Sequence, residues 1–205
     1  MKEYPTISLS PRYGIPVYIC DKLDGSCLRA EWDPKKGFWK FGRRNALLDD
    51  SNPFLPLSKP LFLDTYGDAL GRIFTDQRWQ KAVAFFEFWG PQSFAGNHVE
   101  GDDFQVTLFD VAANKKGLIE PGPFYKMFGD LPTAELLDYC KFNKLVEKGI
   151  RDGGEELGVT FEGVVCKGKN ISPGLPLMWK VKTQQWLDKL REKCAGDEVM
   201  FEKLR

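Results

Sequence analysis

The sequence predicts an α+β fold with a mainly antiparallel sheet core. Two observations lead there. Short apolar runs rich in β-branched and aromatic residues outnumber the helical patterns. The two kinds of segment also fail to alternate regularly, as a parallel βαβ fold requires. The 205 residues are 42% hydrophobic and 14% aromatic, enough for a substantial core. With no internal repeat and no Gly/Ser linker, residues 1–205 read as a single domain.

The expected strands are Val17–Cys20, Phe38–Phe41, Ala82–Trp89, Phe104–Val111, Val159–Cys166 and Leu177–Val181, each bounded by Gly, Pro or charged clusters. Asp64–Phe74 reads as a helix. Thr133–Lys148 reads as another, with Thr133 as N-cap and Leu136, Leu137, Cys140 and Leu145 on one face. Thr183–Cys194 is the last, with Trp186, Leu187 and Leu190 as its apolar stripe. The Pro-rich stretch Asp49–Pro60 and the turn-rich stretch Gly117–Pro132 read as loops.

Composition excludes several classes of function. The 29 basic and 29 acidic side chains cancel, so no coat of positive charge binds any polyanion, although a local basic groove remains open. Met1–Ser10 lacks a basic-then-apolar pattern, so no signal peptide is expected. No run approaches the roughly 18 apolar residues of a spanning helix. Five widely spaced cysteines without a C-x-x-C pair argue against a disulfide framework or a structural zinc site. One histidine, His98, gives poor support to a His-based metal site or a Ser–His–Asp triad. The expectation is a soluble cytoplasmic protein, with no membrane partner, whose chemistry runs on Lys, Arg, Asp and Glu.

Five fragments carry possible chemistry. Asp21-Lys22-Leu23-Asp24-Gly25-Ser26 follows a strand, where a lysine can point above the sheet and Gly25 can let the backbone approach a phosphate. Alone, it is an ordinary charged turn. Ala84–Gly90 sets Glu87 among aromatics, where a carboxylate is either paired or functional. Phe104–Val111 places Phe104, Val106 and Leu108 on one face and Phe109 on the other; an aromatic at such a strand end stacks on a base or packs in a core. Phe161–Gly168 holds Glu162 and Lys167 five residues apart, so both reach one site only if the chain bulges or turns at Gly163. Lys180 and Lys182 project from one strand face, where like charges call for an anion unless the edge is solvated.

In this order the fragments resemble the covalent nucleotidyltransferase superfamily of DNA ligases, RNA ligases and capping guanylyltransferases. The resemblance runs from Lys22 to Lys182 and implies a nucleotidyltransferase (adenylation) domain. It implies that Lys22 attacks an α-phosphate to form a lysyl–nucleotide, and that Lys180 and Lys182 bind that phosphate and stabilise its developing charge. It gives Glu162 a divalent metal, Mg²⁺ or Mn²⁺, and Glu87 the ribose hydroxyls. Phe109 is the choice for base stacking, with Phe104 as competitor. Arg43 or Arg44 contacts phosphate, and Asp24 braces the turn around Lys22.

Departures within the motifs select a branch. Lys-x-Asp-Gly-Ser, with Asp21 just before the lysine and Cys27 where DNA ligases and capping enzymes carry arginine, is similar to one branch of the RNA ligases. Asp21 therefore joins the nucleotide-binding set. Residues 184–205 are far too few for an oligonucleotide-binding (OB) barrel, so no OB domain is expected here, and either the domain suffices alone or a second chain completes it. The expected activity is ATP-dependent RNA ligation; a minimal DNA ligase, or a binding protein without turnover, is the alternative. The partners are ATP and RNA or DNA ends, in the cytoplasm or in an infected host cell if the source is viral. Two basic runs, Arg29–Arg44 with Trp32 and Trp39 interleaved and Glu162–Lys193, offer a nucleic-acid surface unless they are simply solvated faces.

Overall fold

The structure is a computed structural model that describes residues 1–44, 46–48, 55–91, 93 and 101–205. The strands among them are β1 (Pro16–Asp21), β2 (Ser26–Asp33), β3 (Gly37–Arg43), β4 (Ala46–Leu47), β5 (Ala82–Trp89), β6 (Gln105–Ala113), β7 (Gly117–Leu118), β8 (Leu136–Lys141), β9 (Gly163–Ser172) and β10 (Leu175–Lys182). The helices are α1 (Leu55–Phe62), α2 (Asp68–Asp76), α3 (Pro121–Phe128), α4 (Lys144–Arg151), α5 (Gln184–Cys194) and α6 (Glu198–Leu204). One sheet has the order β10-β9-β1-β8 and the other β4-β3-β2-β5-β6-β7, with every neighbouring pair antiparallel. The α+β architecture is thus as expected, and no described strand is left over for an OB barrel.

Strand alternation places the two cores and the site. On the four-stranded sheet, Val17, Ile19, Val164, Cys166, Trp179 and Val181 pack with Phe142 and Ile150 beneath α4. Their neighbours Cys20, Val165, Lys167, Lys180 and Lys182 therefore project from the opposite face. On the six-stranded sheet, Leu28, Ala30, Phe41 and Phe86 pack against Phe62, Tyr66, Leu70 and Phe74. Those last four recur every fourth residue, which is why Leu55–Asp76 forms a helical run, α1 and α2 joined by a π turn at Leu63–Gly67. The other face of this sheet carries Val83, Phe85 and Ala112, which meet Met178 of β10 and Tyr4. Here the two sheets face one another.

The predicted helix Thr133–Lys148 is the main correction. Leu136–Lys141 pairs with β1 as an edge strand, and the helix starts only after Asn143, whose side chain accepts the Leu145 and Val146 N–H groups. Leu145, assigned to an apolar stripe, is 80% exposed. The sheet edge supplied a pairing partner that local spacing does not reveal. The Asp49–Pro60 loop is corrected in the same way: it is helical from Leu55, with Pro60 inside α1, while residues 49–54 lie outside the described set. Gly117–Pro132 contains α3, with Pro121 in its first turn and Phe124 and Phe128 buried one turn apart. Strand β2 was not anticipated at all. Its alternation of Cys27, Arg29 and Glu31 with Leu28, Ala30 and Trp32 hides two charged side chains that are buried.

Candidate active site

A cavity of about 500 Å³ opens between the sheets, lined by Lys22, Asp24, Glu87, Phe109, Glu162, Lys167, Lys180 and Lys182 among others. Lys22 sits just past the end of β1, where its backbone N–H donates to the Gly163 carbonyl. Its Nζ lies 2.8 Å from Glu162 Oε2, and the same carboxylate binds Lys182 through Oε1. Glu162 can reach both because β9 begins beside it at Gly163, whose φ of +140° brings the chain against β10. A Cβ there would lie 2.1 Å from the Val181 carbonyl oxygen. That turn puts Glu162 and Lys167 into one cavity although they are five residues apart.

The lysines differ in environment. Burial, with Lys22 close by, pushes Lys182 down to about 5, against the pull of Asp24 and Glu87. Its ammonium also lies 3.7 Å from the Trp186 ring centroid. Lys180 is pushed down to about 8 by burial and by Lys22, Arg44 and Arg205. It donates to the Arg205 backbone carbonyl at 2.8 Å. Glu87 moves the other way, up to about 7, because burial outweighs the pull of Lys22. It accepts the Gly25 N–H, and a Cβ on Gly25 would come within 2.5 Å of the Phe88 carbonyl oxygen. The glycine of the Lys-x-Asp-Gly turn is thus needed to seat that turn on β5.

A β-bulge aims Phe109. Phe85 pairs with Asp110 and Phe86 with Leu108, so Phe109 is the extra residue of β6. Phe109 and Asp110 both turn toward the cavity side. Tyr4 donates to the Asp110 carboxylate at 2.5 Å, and Lys167 donates to the same carboxylate and to the Phe109 carbonyl, each at 2.8 Å. Tyr4 also meets the Phe109 ring edge-on at 5.1 Å.

No family model matches the chain, and no curated protein matches it in sequence. Solved structures do. An archaeal ATP-dependent RNA ligase superposes with TM-score 0.67 at 18% identity, covering 95% of this chain and 52% of that one. The RNA ligase of Naegleria gruberi with pyrophosphate gives 0.63 at 17%, covering 94% and 58%. A structure from Aquifex aeolicus, provisionally assigned as an ATP-dependent DNA ligase, gives 0.65 at 20%, covering 98% and 55%. The chain has the nucleotidyltransferase fold of the ATP-dependent ligases. It spans a little over half the length of the structures it matches.

Within that nucleotidyltransferase fold, several open alternatives separate. Arg44 lines the cavity and Arg43 does not. Arg43 pairs across from Leu28 on the core side, and Arg44 is one residue out of phase with it. Phe109 lines the cavity, whereas Phe104 stacks on Phe88 at 5.0 Å in the helix-covered core. The Asp21 carboxylate is bound by the Thr160 N–H and hydroxyl, so it ties the start of the Lys22 turn to the loop before Glu162. Cys27 lines the cavity, but burial and Glu87 push its thiol up to about 12, which leaves it a poor nucleophile. Sequence reasoning missed Tyr4, which no motif marks, and set Lys167 beside Glu162 without giving it a role of its own. His98 lies outside the described residues.

One carboxylate offers too few protein donors for a metal cage, and suits a magnesium-type ion that keeps most of its other ligands from water or a bound phosphate. Among the described residues no three His, Cys, Asp or Glu side chains cluster for a metal, and Glu162 is the acid in contact with Lys22 and Lys182.

Proposed function

We propose that this domain is an ATP-dependent polynucleotide ligase acting on RNA ends through a lysyl-AMP intermediate. The observation that carries the proposal is the Lys22–Glu162–Lys182 contact on the floor of the cavity, with Lys180 beside it and Phe109 and Glu87 on the walls. In the first step Lys22 Nζ forms a bond to the α-phosphorus of ATP while the bond to pyrophosphate breaks. The amine must first lose its proton, for which the Glu162 carboxylate is the adjacent acceptor. Lys180 and Lys182 then face the charge on the α-phosphate oxygens. Phe109 stacks on the base, Glu87 binds the ribose hydroxyls and Arg44 meets phosphate at the cavity rim. A bound Mg²⁺ or Mn²⁺ at Glu162 would neutralise phosphate charge.

In the second step a terminal 5′-phosphate oxygen attacks the same phosphorus and the P–N bond breaks, restoring Lys22. In the third, a 3′-hydroxyl attacks the 5′-phosphorus and AMP leaves. RNA is preferred over DNA because Ser26 follows Gly25 and Asp21 precedes Lys22, the pattern of one RNA ligase branch. All these roles fall to residues 1–205, read as one domain.

The test is incubation with α-labelled ATP and Mg²⁺, after intact mass has shown whether the purified protein already carries AMP. Covalent label that is lost in Lys22→Ala supports the proposal. A wild-type protein that is neither pre-adenylylated nor labelled overturns it. Nicked RNA, nicked DNA and single-stranded RNA then distinguish the substrates.

A further inference from the structure

The basic run Arg29–Arg44 does not form one solvated face. Arg29 and Trp32 are buried, at 4% exposure each. Trp39, by contrast, is 42% exposed. The reason is a second β-bulge: Glu31 pairs with Lys40 and Trp32 with Phe38, leaving Trp39 as the extra residue of β3. Phe38 turns into the core, and the unpaired Trp39 is displayed outward. Lys36 Nζ lies 4.2 Å and Lys40 Nζ 5.5 Å from its ring centroid. Beyond the bulge, Lys40, Gly42 and Arg44 fall on one side of β3 by strand alternation. This is the side of Arg29 and Glu31, their partners on β2, and the N-terminal segment covers it there: Arg29 donates to the Lys2 carbonyl and the Met1 amine lies beside Glu31, so the exposed ring stands at the hairpin end.

We infer that Trp39, with Lys36 and Lys40, is a stacking site for single-stranded nucleic acid at the β2–β3 hairpin. The inference rests on the ligase reading and adds to it the surface that holds the strand. A large aromatic side chain displayed on a bulge has no packing reason to be exposed. The two cations against the ring suit a phosphate backbone, and an indole face accepts any base.

The test measures anisotropy of a 3′-fluorescent, 5′-phosphorylated single-stranded 12-mer, as RNA and as DNA, against wild type, Trp39→Ala, Trp39→Phe and Lys36→Glu/Lys40→Glu. Lys22 labelling from ATP is assayed on each protein. Trp39→Ala should weaken binding about 5- to 100-fold, with Trp39→Phe retaining most of it. The double charge reversal should reduce the slope of log affinity against log salt by at least about 1.4. Labelling should stay at the wild-type level in all variants, which shows them folded. Wild-type affinity in Trp39→Ala and in the double variant overturns the inference, as does a wild type that labels but binds no strand. A wild type that binds the strand through Trp39 but does not label leaves this site standing and removes the ligase chemistry instead.

Discussion

Lys22 Nζ and Glu162 Oε2 are 2.8 Å apart, and Glu162 holds Lys182 with its other oxygen. One buried carboxylate therefore bridges Lys22 and Lys182. Removing it leaves the buried Lys182 Nζ without that hydrogen-bond partner, a cost of about 1–3 kcal/mol. Glu162→Ala should therefore lower the denaturation midpoint and cut lysine labelling by roughly 10²–10³. Glu162→Gln keeps a hydrogen-bonding group of the same shape. It should recover much of the stability but little of the labelling, as urea melts and labelling kinetics on the same samples will show.

Lys180 is pushed down to about 8, mainly by burial. A lysine below its ordinary value loses its charge as pH rises through the shifted value. AMP, which cannot form the lysyl adduct without pyrophosphate as leaving group, reports this charge without turnover. Its affinity should fall as pH passes about 8. Lys180→Arg, charged throughout this range, should hold the affinity up to pH 9. Calorimetric titrations of AMP at pH 7, 8 and 9 make the comparison, and parallel curves for the two proteins would disprove it.

Glu87 is raised from 4.5 to about 7, chiefly by burial. The folded state therefore binds more protons than the unfolded state between those values, and this group's contribution to stability falls as pH rises from about 4.5 to about 7. Half-burial leaves some solvent screening, so the contribution is below the roughly 3 kcal/mol that the full shift implies. Glu87→Gln removes it. Between pH 5 and pH 8 the wild type should lose more stability than the variant, measured as the change in urea midpoint.

The residues that could be read from sequence are those whose chemistry is tied to a spacing. Lys180 and Lys182 two apart on a strand, and the turn required at Gly163, are both consequences of period two. Arg43 against Arg44 could not be resolved because the phase of β3 is set by a bulge at Trp39, which depends on pairing with β2. Phe109 against Phe104 stayed open for a different reason: alternation puts them on opposite faces, and only the packing of helices on one face of the sheet and of the other sheet on its opposite face decides which one meets the cavity. Leu136–Lys141 was misread because its strand character comes from β1, more than a hundred residues earlier. Local patterns gave the ends of the argument, and long-range pairing decided which side chains turn inward.

The two phenylalanines provide the last prediction. Phe109 is the bulge residue beside the cavity, while Phe104 stacks on Phe88 in the helix-covered core. Truncation should therefore separate binding from stability. Phe104→Leu should lower the melting temperature, by the roughly two to four degrees that loss of about 1 kcal/mol of packing produces in a chain of this size, and leave the ATP concentration needed for half-maximal labelling unchanged. Phe109→Leu removes the flat ring from the cavity wall while the Lys167 contact to its backbone carbonyl persists. It should raise that ATP concentration about 5- to 100-fold with a smaller change in melting temperature. The reverse pattern would place the base on Phe104 and make Phe109 a packing residue.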